Sequence, residues 1–349
     1  MKICMIVPKA DVKGGIASVV NGYRKHGIDR EIELSFVESY QDGGKWQKLG
    51  KAVKGYLQFV RKLVLDKPDM VHIHSSFGPS FYRKIPFIYL AKLGKIKIIN
   101  HIHGAEFSEF YLEASGRKKA LVKKIYEKCD ILLVLSQEWK EKIGVIVDKE
   151  KIRILENYCQ IPTLRKEEKK RQILFMGEIG GRKGCFDIPQ IYQKVVEQTG
   201  PIPLIIAGEG ETQRVQSMLK ERGLLDTVVF PGWVRGEEKE KLLRESKYFL
   251  FPSYNEGMPM VILEAMSYGM GIVTSNVGGI PQLIKDGTEG YICTPGDYKN
   301  IAEKLIKLIE EEEILQSCGE GARKKVIEQY SFESHISKLR EIYFSMNEW

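Results

Sequence analysis

The sequence predicts an α/β protein made of two consecutive doubly wound units, and three observations carry that prediction. Apolar residues switch back and forth between strand-like runs and helical spacing from the first residue to about residue 330, as βα repeats do. The strand-like runs are short, rich in Ile, Val and Leu, and lack strict alternation, which suits buried parallel strands covered by helices on both faces. A chain of 349 residues also exceeds what one hydrophobic core usually serves.

In order along the first half, the strand candidates are KICMIVP, IELSFVE, DMVHIH, IKIINHIH, DILLVLS and KIRIL. A polar stretch follows from Glu156 to Arg171, ENYCQIPTLRKEEKKR, which contains Pro162 and has no sustained period, so it is expected to be a linker. The second half offers QILFMG, PLIIAG, VVFPG, YFLFPS and GIVTS, then the short GYIC. Two charged helical stretches close the chain, roughly 297 to 329 and 332 to 346, broken at Tyr330-Ser331. The expected domains are therefore 1–163, completed by a returning C-terminal helix over 332–349, and 164–331.

Composition narrows the classes. No apolar run approaches the roughly 18 residues of a spanning helix, and Met1 leads straight into the first strand candidate without room for a signal peptide, so a cytoplasmic protein is expected. The six cysteines are scattered without paired spacing, which predicts reduced, mostly buried thiols rather than disulfides or structural zinc. The net charge of +8 is lopsided: residues 1 to 160 hold 29 Lys and Arg against 18 Asp and Glu, while the remainder holds 25 against 28. A basic first half suits an anionic partner, or it is a solvated surface of mixed charge.

Ligands of doubly wound sheets bind beyond the carboxyl ends of the strands, so function is sought in the strand-to-helix loops. The run Tyr254 to Glu264, YNEGMPMVILE, directly follows YFLFPS. Pro259 suits a first helical turn, predicting a helix from about Met258 with Glu256 in the loop before it and Glu264 in its second turn. The two carboxylates can accept hydrogen bonds from separate sets of hydroxyls. Free backbone N–H groups around Gly257, Met258 and Met260 attract an anion. A sugar, a ribose and the diphosphate between them match this layout; two glutamates at a fixed separation are also common as plain surface acids.

The context sharpens the choice. Strand, E-G-x-P, second Glu and then AMSYGMGIVTSNVGGIP closely resemble the E-x7-E segment of family 4 retaining glycosyltransferases. The resemblance covers nearly the whole chain and includes Gly14-Gly15-Ile16, His103-Gly104, Arg182-Lys183-Gly184 and Gly208-Glu209-Gly210. It implies the GT-B fold, in which two Rossmann-like doubly wound domains face each other across a cleft. It also implies transfer of a sugar from a nucleoside diphosphate, UDP being favoured, to a hydroxyl with retention of configuration. By this similarity Glu264 binds the ribose hydroxyls, Glu256 a donor-sugar hydroxyl, and His103 the donor sugar or reacting centre, leaving His101 a strand residue. Asn157 resembles a hinge asparagine. The backbone of Pro231 to Arg235 reads the base, and Gly278-Gly279 frames the cleft.

Gly14 and Gly15 follow the first strand and precede a helical pattern, so backbone could approach a pyrophosphate there, or they form a plain turn. Arg182 and Lys183 are expected at the start of the helix after the first strand of the second half, where two cations suit a diphosphate leaving group. Here the chain departs from the family, which commonly has Arg directly after the strand glycine; this chain has Glu178, and Arg182 is expected to supply the missing charge. No Asp-x-Asp pair occurs and no His, Asp and Glu cluster shows metal-ligand spacing, so neither a catalytic metal nor a cofactor is expected.

The acceptor is less legible. Trp46, Leu49, Val53, Leu57, Val60 and Val64 recur at steps of three and four among Lys45, Lys48, Lys51, Lys54, Arg61 and Lys62, and a second basic run spans Arg117 to Lys128. These are either core-packing helices with solvated polar faces or a peripheral contact with anionic membrane on the inner face of the cell. The preferred partners are a nucleotide-sugar donor and a glycan or lipid-linked acceptor of bacterial surface polysaccharide such as capsule. The alternatives are a small soluble acceptor, or nucleotide-sugar binding without catalysis. Nucleic acid is not expected, because no aromatic-basic stacking pattern is present.

Overall fold

The computed structural model describes residues 1–164 and 169–347. Residues 165–168, the middle of the expected linker, lie outside the described residues. Contacts divide the chain into two compact units, residues 1–157 with 335–349, and residues 158–334, so Asn157 is the last residue of the first segment.

The N-terminal unit runs β1 (Lys2–Pro8), α1 (Gly15–His26), β2 (Glu33–Tyr40), α2 (Lys45–Leu65), β3 (Met70–Ser75), α3 (Pro79–Leu93), β4 (Lys97–Ile102), α4 (Gly116–Glu127), β5 (Ile131–Val134), α5 (Gln137–Gly144) and β6 (Ile152–Ile154). Its strands form one parallel sheet in the order β2-β1-β3-β4-β5-β6. Five consecutive residues of β1, Ile3 to Val7, are fully buried, as a central parallel strand with both faces covered requires.

The C-terminal unit runs β7 (Lys170–Met176), α6 (Ile188–Thr199), β8 (Leu204–Ala207), α7 (Thr212–Lys220), β9 (Val228–Gly232), α8 (Gly236–Glu245), β10 (Ser246–Phe251), α9 (Met260–Ser267), β11 (Gly271–Ser275), α10 (Ile280–Leu283), β12 (Tyr291–Cys293), α11 (Tyr298–Glu310) and α12 (Glu312–Gln329). Its parallel sheet has the order β12-β11-β10-β7-β8-β9. The charged stretch expected as one helix over 297–329 is two, because Glu311 (φ −109°, ψ 86°) leaves the helical region between α11 and α12.

The last helix, α13 (Phe332–Asn347), returns to the first unit. There the Tyr343 hydroxyl lies 2.5 Å from His72 Nδ1, His335 Nδ1 lies 2.7 Å from the Glu156 carbonyl, and Arg340 pairs with Asp29 at 2.9 Å. All six cysteines are free and buried. Burial pushes the thiols of Cys129, Cys159, Cys185 and Cys293 up to about 12, so they are poor nucleophiles.

Of the two readings of α2, the one that packs its large apolar stripe into the core is overturned. Trp46 is 85% exposed and Leu57 68%, and Leu49, Val53, Val60 and Val64 are exposed with them. The face that α2 buries holds Ala52, Gly55 and Phe59. A Cβ on Gly55 would lie 2.8 Å from the Glu38 carbonyl, so the helix needs a small residue there to lie against β2. Small residues, which hydropathy patterns weigh lightly, make the inner seam, and the large ones face solvent.

Candidate functional site

In the C-terminal sheet, strand order reverses between β7 and β10, and ligands of such sheets bind beyond the carboxyl ends of strands at that reversal. The loops after these two strands carry Lys183 and Glu256. Contrary to the sequence expectation, Arg182 and Lys183 do not open a long helix: they sit in a 3-10 turn, Gly181–Lys183, and α6 begins only at Ile188. Gly184 follows with φ +69°, and a Cβ there would lie 1.9 Å from the Pro252 carbonyl, so glycine is what lets the two loops touch. The Tyr254 N–H donates to the Arg182 carbonyl at 2.9 Å, fastening one loop to the other.

Across that contact Lys183 Nζ meets Glu256 Oε1 at 2.5 Å, with the side chains only 13% and 7% exposed. The Ser253 hydroxyl donates to the same carboxylate oxygen at 2.7 Å. Lys183 also stands 5.0 Å over the Phe251 ring. An ammonium carries three donors, so the Glu256 contact leaves donor capacity for another anion. Gly278, at φ +55°, passes beneath the Glu256 carbonyl, where a Cβ would lie 1.9 Å away, and the Gly279 N–H donates to the Gly257 carbonyl at 2.7 Å.

The helix after this loop starts later than expected. Pro259 precedes it, Met260 is its first residue, and Gly257 and Met258 belong to the loop. Glu264 remains in the second turn. Its Oε1 accepts from Lys239 Nζ of α8 at 2.5 Å. Its Oε2 is buried and has no hydrogen-bond partner. A buried carboxylate oxygen left open costs free energy unless a donor arrives, and vicinal hydroxyls are such donors.

The charge balance differs from the sequence expectation. Arg182 pairs with Glu178 at 3.0 Å and donates to the Asn255 carbonyl at 3.2 Å, so its charge answers Glu178 rather than standing free for a ligand. Lys183 is the cation of the loop that faces Glu256. Lys239 carries no sequence signal of its own; it lies on a polar helix whose register is set only by folding.

In the N-terminal unit, strand order reverses between β1 and β3. Gly14 follows β1 with φ +132°, a Cβ there would meet open space, and Gly15 is the first residue of α1. His103 follows β4. Its Nε2 lies 3.0 Å from His74 Nδ1, and burial, then the neighbouring His335, pushes it down to about 3, so the ring is neutral near pH 7. His101 is more than the strand residue expected. It joins His72 and His74 in a buried cluster in which one nitrogen from each ring lies within 4.8 Å of the others, although the sequence showed no metal-ligand spacing. His72 Nε2, His74 Nε2 and both nitrogens of His101 have no hydrogen-bond partner. The pairing of His74 with His101 across β3 and β4 assembles the group, and that pairing is a property of the fold.

This geometry has counterparts in known proteins. Residues 160–325 match the family model described as Glycosyl transferases group 1. Over that stretch the chain is similar to the group 1 glycosyltransferases. The chain is 26% identical over 294 residues to N-acetyl-alpha-D-glucosaminyl L-malate synthase of Bacillus anthracis, covering 80% of this chain and 75% of that protein. It is 24% identical over 326 residues to UDP-Gal:alpha-D-GlcNAc-diphosphoundecaprenol alpha-1,3-galactosyltransferase of Escherichia coli, covering 85% and 80%. Among solved structures, Anabaena HepE in complex with UDP aligns with TM-score 0.77 at 14% identity over 99% of this chain and 100% of that one. Staphylococcus aureus TarM aligns with TM-score 0.70 at 20% identity over 83% of this chain, which spans 59% of the TarM chain. These likenesses identify the architecture as GT-B.

Proposed function

We propose that the enzyme transfers a sugar from a UDP-sugar, with retention of configuration and without a catalytic metal, to a hydroxyl of a growing bacterial surface polysaccharide on a lipid carrier. The observation that carries the donor assignment is the pair of carboxylates beside the strand-order reversal: Glu256 clamped by Lys183 and Ser253, and Glu264 with one oxygen on Lys239 and the other open. The open oxygen suits ribose hydroxyls, Glu256 a sugar hydroxyl, and Lys183 the diphosphate, with the Gly257, Met258 and Met260 backbone beside it. Arg182, tied to Glu178, has a lesser role. In the N-terminal unit Gly14, Gly15 and His103 are the residues proposed to take part.

In the transfer, the acceptor oxygen forms a bond to the anomeric carbon while the bond from that carbon to the phosphate oxygen breaks. The electron pair leaves with the diphosphate, which takes up the acceptor proton. Lys183 lowers the barrier by neutralising charge that grows on the leaving group. The choice of UDP is supported by UDP in the Anabaena structure and UDP-Gal in the name of the Escherichia coli relative.

The exposed stripe of α2 supports the lipid-linked acceptor. Six large apolar side chains in one row, with Lys45, Lys54 and Arg61 exposed beside them, suit the boundary of an anionic bilayer, where each basic side chain contributes about 1 kcal/mol. No helix among the described residues is long and apolar enough to cross a membrane, so the contact is peripheral. The Bacillus anthracis relative, named for L-malate, favours a second reading in which the acceptor is small and soluble. A thermal-shift panel of UDP, GDP, ADP and dTDP with their sugars tests the donor. UDP is expected to raise the melting temperature most, and a larger shift with another base would overturn that choice.

A further inference from the structure

We propose that His72, His74 and His101 form a binding site for a zinc-class transition-metal ion in the N-terminal unit, beneath α13. Residues i and i+2 of a strand point to the same side, so His72 and His74 present both rings to one face of β3. The parallel register sets His101 of β4 opposite His74, which brings a third imidazole to that face. One donor atom from each ring falls within 4.8 Å of the others, and the three residues are at most 1% exposed.

The hydrogen bonding of these rings is what points to an ion. His72 Nδ1 is held by the Tyr343 hydroxyl at 2.5 Å and His74 Nδ1 by His103 Nε2 at 3.0 Å, yet Nε2 of both rings is buried without a partner. Both His101 nitrogens are in the same condition. Rings with one nitrogen oriented by an outer partner and the other left open have the form of metal-bound imidazoles. Three imidazoles without carboxylate or thiolate suit zinc, cobalt, nickel or copper and not magnesium or calcium, with water in the remaining position. Burial keeps the rings neutral, the form that coordinates.

One consequence reaches His103. An ion on His74 Nε2 leaves the His74 proton on Nδ1, which then donates to His103 Nε2 and keeps the His103 proton on Nδ1. The ion would thus act as a positioning element for His103, with no part in the transfer itself. The site is independent of the donor assignment.

The test uses the full chain, purified without a polyhistidine tag or chelator, and reads its metal content by mass spectrometry. After stripping, Zn2+ and Co2+ are titrated separately while melting temperature and the visible Co2+ spectrum are followed. About one ion per chain, a Zn2+-dependent rise in melting temperature and an intense pseudo-tetrahedral Co2+ band are expected, with all three lost in His101→Gln and the UDP-induced thermal shift kept. Should that variant fail to fold, the wild-type content and Co2+ band decide. Less than about 0.1 ion per chain after Zn2+ loading with no Co2+ band, or a band unchanged in His101→Gln, overturns the site. A failed UDP shift alongside a bound ion would count against the donor assignment alone.

Discussion

Replacing Glu264 with Gln removes one negative charge while keeping the shape of the side chain. In the wild-type protein Oε1 is committed to Lys239, so the oxygen available to a nucleotide is Oε2. A hydrogen bond to a charged group contributes about 1.5–3 kcal/mol and a neutral one about 1 kcal/mol, so the variant should lose about 0.5–2 kcal/mol of nucleotide affinity. That corresponds to a roughly 2- to 30-fold rise in Kd for UDP, measurable by isothermal titration calorimetry. Glu264 and Lys239 keep 17% and 28% side-chain exposure, so solvent screens their pairing and fold stability should fall by less than about 1 kcal/mol. Dideoxy-UDP, lacking both ribose hydroxyls, should bind wild type and variant with similar affinity, because the group that meets the carboxylate is gone. A Kd for UDP within about 2-fold of wild type, or an equal loss for dideoxy-UDP, would refute the ribose assignment.

Lys183→Met should lower kcat about 100- to 1,000-fold, as expected when a cation facing a leaving group is lost, and activity within about 10-fold of wild type would remove Lys183 from the transfer step. Trp46→Glu with Leu57→Glu should abolish sedimentation with anionic vesicles while moving stability by less than about 0.5 kcal/mol, because both side chains already face solvent; vesicle binding that survives would show that the stripe is not the contact. His335 has its pKa pushed from 6.5 down to about 3, chiefly by burial, so the unfolded chain binds the proton more readily than the folded one. Its contribution to stability is therefore full above pH 6.5 and is lost as the pH falls toward 3, with a slope of up to about 1.4 kcal/mol per pH unit. Urea titrations of wild type and His335→Gln at pH 7.5 and pH 5 should show the smaller acid loss in the variant, and equal losses would argue against a buried neutral ring.

Most of the fold was legible because the signals are local. Each of the twelve strands among the described residues lies on a run that the apolar pattern marked, since a parallel strand covered on both faces has little choice but Ile, Val, Leu and Phe. The glycines at 14 and 278 were visible as turns, and their positive φ angles give the reason. The features that escaped depend on distant partners. Lys239 reaches Glu264 only because α8 and α9 pack in one register. Arg182 read as a free cation until Glu178 came within 3.0 Å of it. The α2 stripe stayed open between two readings for another reason: a helix can bury its smallest side chains, and Ala52 and Gly55 carry almost no hydrophobic signal. The histidines of β3 and β4 looked like isolated strand residues until the strand register placed them together.

The return of α13 has a consequence for how the protein is made. The second unit is one continuous stretch, so its own contacts do not depend on the last helix. The first unit is different: although translated first, it must wait for residues after Ser334 to supply the partners of His72, Asp29 and Glu156. During that interval its sheet stands incomplete on one face. A chain cut before His335 would thus lose those three contacts while keeping the whole of the second unit.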